Sequence, residues 1–152
     1  MRKKLALLVT LSVLALSLVG AQSASASYLG VTVKPTEYLL CQPSPDSIGL
    51  LLGFRASVTA VGISKPKEIR IGYQVLTESK QVLRSGVLKL KRSKGYKADG
   101  DKPYVAYLGE KLTYHLNMSY TAGGKKRKKK KNYSATAPTQ ADIAYYGVTA
   151  CS

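Results

Sequence analysis

The sequence predicts an all-β protein built as an antiparallel β-sandwich, with a small β-barrel as the alternative. Three observations carry this expectation. Apolar and polar residues alternate with period two over long runs, the pattern of strands with one buried face. Turn-forming residues recur roughly every 8–15 residues, the rhythm of a many-stranded domain. After the first 26 residues, no segment places its apolar residues at a helical period.

The N-terminus stands apart. Arg2, Lys3 and Lys4 make a basic start, and Leu5 to Val19 is apolar except for Thr10, Ser12 and Ser17. Ala24-Ser25-Ala26 supplies the small-x-small pattern accepted by signal peptidase. Spanning a bilayer takes about 20 apolar residues, more than this run contains. Residues 1–26 are therefore expected to be a cleavable secretory signal peptide of bacterial character. Residues 27–152 form the mature chain, long enough for a single domain with its own core. They contain no second apolar stretch of membrane-spanning length.

The strands follow in order. Tyr28–Lys34 is the first and short. From Leu50 to Ala60 the apolar residues Leu50, Leu52, Phe54, Ala56 and Val58 share one parity, opposite Arg55, Ser57 and Thr59. Ile69, Ile71, Tyr73 and Val75 do the same against Glu68, Arg70 and Gln74. Thr77-Glu78-Ser79-Lys80 reads as a turn into Gln81–Lys91, where the parity slips near Ser85-Gly86 as at a β-bulge. After a short strand at Tyr104–Leu108, the alternation is clearest in Lys111–Ala122. Leu112, Tyr114, Leu116, Met118 and Tyr120 form one face there; Thr113, His115, Asn117 and Ser119 form the other. Asn132–Ala137 and Ile143–Cys151 complete the set, with the prolines expected between strands or at their ends. Seven or eight such strands resemble an immunoglobulin-like or fibronectin-like arrangement, and that resemblance implies a corner tyrosine at Tyr114 or Tyr120.

Cys41 and Cys151 are the only cysteines. In an oxidising compartment they are expected to form one disulfide clasping an early strand to the last. The closed loop of about 110 residues would stabilise the fold by roughly 4.7 kcal/mol in the chain-entropy account. With one histidine and two thiols, a metal site is not expected.

The charge is strongly basic. Subtracting the three basic residues of the leader from the formal +16 leaves +13 on the mature chain. Such an excess repels itself and favours an anionic partner. The strongest local feature is Lys125-Lys126-Arg127-Lys128-Lys129-Lys130-Lys131, expected as the mobile tip of a hairpin after Gly123-Gly124. Lys89, Lys91, Arg92, Lys94 and Lys97 make a second cluster, able to extend a basic surface or to guard a sheet edge.

Both clusters point to an anionic cell-wall polymer, anionic lipid or acidic polysaccharide, with nucleic acid as a non-specific possibility. A membrane-active antimicrobial factor and an extracellular matrix structural protein are the competing classes. Asp99-Gly100-Asp101 lacks the remaining ligands of a calcium loop and reads as a turn. Asn117-Met118-Ser119 and Asn132-Tyr133-Ser134 match the glycosylation sequon, against which the bacterial type of leader argues. No cofactor motif occurs, and His115 has no sequence neighbour that makes it a catalytic group, so the expectation is a non-enzymatic binding module.

Overall fold

The computed structural model describes residues 27–151; the expected signal peptide lies outside the described residues. The elements in chain order are β1 (Tyr28–Ser44), β2 (Ser47–Val61), β3 (Glu68–Thr77), β4 (Val82–Lys91), β5 (Lys97–Asp99), β6 (Tyr104–Tyr107), β7 (Lys111–Ala122), β8 (Lys125–Thr136) and the helix α1 (Gln140–Tyr146). A 3₁₀ turn, Arg92–Lys94, links β4 to β5.

The strands form two antiparallel sheets, and neither closes into a barrel. In the first, β2 pairs with β1 along one side; on its other side it meets β6 at Ser47–Leu50 and β5 at Gly53–Arg55. The second sheet has the order β4-β3-β7-β8. The alternating residues of β2, β3 and β7 turn their apolar parity inward. Leu50, Leu52 and Phe54 of the first sheet join Ile69, Ile71, Val75, Leu112 and Leu116 of the second in one buried cluster. Each such side chain stabilises the fold by about 2 kcal/mol relative to exposure, and this shared core holds the sheets together.

Several expectations change. The first strand is 17 residues long rather than seven, and Pro35 and Pro43 lie inside it. An edge strand tolerates this, because half of its amides face away from the ladder. The register slip in β4 falls at Leu83, between the pairs Val75–Arg84 and Leu76–Val82, rather than at Ser85-Gly86. Gly86 is regular and pairs with Tyr73, whose ring lies over it; a Cβ there would come within 2.9 Å of the Tyr73 hydroxyl.

The last expected strand, Ile143–Cys151, instead begins in the helix α1 and continues as an extended tail. Thr139 and Asp142 form a reciprocal capping box: the Asp142 carboxylate accepts the Thr139 N–H at 2.8 Å, and Thr139 Oγ1 accepts the Asp142 N–H at 3.4 Å. This nucleates the first turn, Ile143 buries against the core, and Gly147 at φ 66° ends the helix. The disulfide joins Cys41 to Cys151 with the Cα atoms 4.9 Å apart. It ties β1 to the tail after α1, which runs beside β1 in a short parallel bridge at Gln42–Ala150. Among the described residues, no helix is long and apolar enough to cross a membrane.

Candidate functional site

Two glycines set the geometry of the basic tract. Gly123 (φ 56°) and Gly124 (φ 73°) are both left-handed, which closes a two-residue hairpin with the twist that antiparallel strands need. Ala122 then pairs directly with Lys125, and the register continues without a break to Lys111–Thr136. The expected mobile tip is therefore incorrect: Lys125–Lys131 is the first half of β8, an edge strand, because the glycines alone complete the turn.

Strand geometry sorts the seven charges. Lys126, Lys128 and Lys130 share the outer face of the second sheet with Thr121, Ser119 and Asn117 of β7. Lys125, Arg127, Lys129 and Lys131 take the inward parity, yet all seven are exposed. At a sheet edge the long stems can cover apolar surface while the cationic heads reach water. Neighbours on one face stand about 6.6–6.8 Å apart. Lys131 Nζ lies 4.8 Å from the ring centroid of Tyr133. The Tyr133 hydroxyl donates to the Val33 carbonyl and fastens β8 to β1.

Of the second cluster, Lys89 and Lys91 lie on the same outer face at the opposite edge. Lys89 pairs with Arg70 of β3, Arg70 with Ser119 of β7, and Ser119 with Lys128 of β8. A row of three exposed cations thus crosses the whole sheet, about 14 Å at three strand spacings. One step along, Lys91 pairs with Glu68. Arg92 and Lys94 follow in the 3₁₀ turn, and Lys97 begins β5. None of these side chains forms a salt bridge among the described residues, where the ion pair is Lys111–Glu78 at 3.7 Å.

Arg70 links the clusters although sequence reading left it out; its outward parity was the available signal. Lys65 and Lys67, in the loop between β2 and β3, lie beside Arg70 and Arg92; they were left out too, because nothing in a loop sequence shows which way the loop folds back. His115 sits on the outer face between Gln74 and Asn132. Among the described residues, no group of three or more His, Cys, Asp and Glu side chains could hold a metal ion.

A second polar cluster lies between the sheets. Glu37, inward-facing on β1, accepts hydrogen bonds from the hydroxyls of Tyr104 and Tyr114, which lie 3.4 Å from each other. Both phenols are pushed far above their ordinary value, first by burial. For Tyr104 the next causes are Tyr114 and then the Glu37 charge; for Tyr114 the Glu37 charge comes next. Tyr114 therefore does not make the backbone bond of a corner tyrosine.

The chain matches no protein-family model, no curated protein and no solved structure.

Proposed function

We propose that this chain is an exported, non-enzymatic binding module that associates with anionic extracellular surfaces through the outer face and basic edge of its second sheet. Cell-wall polymer or anionic lipid is the expected surface, with acidic polysaccharide of the same chemistry. The observation that carries the reading is an exposed β8 tract of seven cations, none of them neutralised by a carboxylate among the described residues. A strand holds those charges in two straight rows, so an extended anionic polymer or a charged plane can meet several at once. The disulfide and the expected leader support export.

The finer fold belongs to the same proposal. With β5 and β6 counted as one interrupted strand, the sheet orders become 1-2-5 and 4-3-6-7. These orders support reading the fold as an immunoglobulin-like or fibronectin-like sandwich whose fourth strand pairs with the third.

A second reading has its own observation. β8 is a sheet edge, and lysines on an edge block pairing with another chain. One or two are enough for that, and seven in succession exceed it. The readings separate in a sedimentation assay on isolated cell walls, anionic vesicles and duplex DNA at matched ionic strength. The parent should be retained, and a Lys126→Gln, Lys128→Gln, Lys130→Gln variant should be retained much less. Equal retention of both proteins on all three surfaces would reduce the tract to edge protection.

A further inference from the structure

We propose that a depression at the end of the second sheet is a preformed site for a phosphate group bearing two negative charges. The site is separate from the β8 rows except for Lys126. Four chain segments build it: the loop after β2, the start of β3, the 3₁₀ turn and the β7–β8 hairpin. The depression has a volume of about 630 Å³ and is lined by Lys65, Lys67, Arg70, Arg92 and Lys126, with Glu68 the single acid.

The backbone that carries two of these cations is held in place. The loop carrying Lys65 and Lys67 is pinned where the buried Tyr96 hydroxyl donates to the Pro66 carbonyl at 2.6 Å. The Arg92 N–H donates to the Lys67 carbonyl at 2.9 Å. At the loop's other end, Ile63 sits against the hairpin turn, where a Cβ on Gly123 would come within 2.7 Å of it. Gly123 thus both turns the hairpin and seats the loop. Folding assembles five cations beside one carboxylate and locks the backbone beneath two of them. Fixed like charges repel, and a bound anion relieves that repulsion without ordering the loop afresh. Two guanidiniums favour phosphate in particular, since their forked donors match its oxygens.

The test is a titration of the disulfide-bonded protein with pyrophosphate, followed by backbone and arginine side-chain NMR shifts at constant ionic strength. Saturable shifts should concentrate at residues 64–70, Arg92 and the 123–126 turn. A Lys67→Gln, Arg70→Gln variant, altered only at exposed positions, should bind about tenfold more weakly. A Lys128→Gln, Lys129→Gln, Lys130→Gln variant should keep pyrophosphate affinity while losing retention on cell walls, so this site and the β8 reading can fail independently.

Vesicles of phosphatidylcholine with and without phosphatidic acid distinguish the source. Protein bound only to phosphatidic acid and displaced by pyrophosphate identifies a lipid headgroup; pyrophosphate binding without vesicle binding identifies a soluble phosphate. Non-saturating shifts spread along β8, or undiminished pyrophosphate affinity in the Lys67, Arg70 variant, would overturn the proposal.

Discussion

Glu37 shows how one residue can join two sheets. It stands on an edge strand, points inward, and receives the hydroxyls of Tyr104 from the first sheet and Tyr114 from the second. Sequence reading missed it because the expected first strand stopped at Lys34, and an acidic residue on an inward parity reads as a break. The cluster has a pH signature whose sign is fixed. Both tyrosines have folded pKa values raised by burial above the unfolded value near 10. Their contribution is complete below pH ~10 and is lost as pH rises towards the folded values, because the unfolded chain releases those protons first. Each phenol removes about 1.4 kcal/mol of stability per pH unit in that range. Chemical denaturation at pH 9 and pH 11 should therefore show a steep loss for the parent. A Tyr104→Phe, Tyr114→Phe variant should be less stable at pH 9, having left Glu37 without its donors. It should also lose less between the two pH values; an equal loss would mean that other groups drive alkaline unfolding.

Among the elements, β2, β3 and β7 were legible because alternation marks both the strand and its buried face. Of β8 only the part from Asn132 was legible; the basic tract before it was not, since seven like residues carry no alternation, and its one signal was the two-glycine turn that lets it continue as strand. α1 was missed because seven residues are too few to display a period; its signals were the Thr139–Asp142 pair and Gly147. Hydrogen exchange tests the new placement of the tract. Amides bonded to β7 should be protected and should alternate with fast ones along 125–136, whereas a mobile loop would exchange fast throughout. Replacing Lys125–Lys131 by a short turn should destabilise the protein, because it removes pairing along β7 and uncovers the edge of Met118. For α1, Thr139→Ala should cost about 1 kcal/mol of helix stability. Thr139, first through its backbone N–H, holds the Asp142 carboxyl below its ordinary value. The helix should accordingly loosen as pH falls through that lowered value, and loss of circular-dichroism signal or of α1 amide protection in acid checks this.

For the molecule as a whole, two opposed effects act on the same chain. The disulfide spans 110 residues and restrains the unfolded state, so Cys41→Ser with Cys151→Ser should remove about 2–5 kcal/mol. Hydrogen bonds from Gln42 N–H to the Thr149 carbonyl at 2.8 Å and from Cys151 N–H to Gln42 at 3.0 Å hold the tail in the oxidised fold; without the bond these should fray first. Both cysteines were legible in the sequence, but their partner elements were not, because the final strand was misassigned. Opposing the clasp is the excess of Lys and Arg, 24 against eight acids over the full sequence, with two cationic edges on one sheet. Salt separates repulsion from binding by sign. Raising ionic strength from 0.1 M to 1 M shrinks the Debye length from about 10 Å to about 3 Å. Self-repulsion then weakens and the melting temperature should rise, while retention on polyanions should fall over the same interval. Sodium chloride, a weakly excluded salt, should be used so that the change reports screening rather than stronger apolar burial. The Lys126, Lys128, Lys130 glutamine variant should begin with a higher melting temperature and gain less from salt. A melting temperature that falls with salt in the parent, or rises equally in both proteins, would show that the basic face is not under repulsive strain.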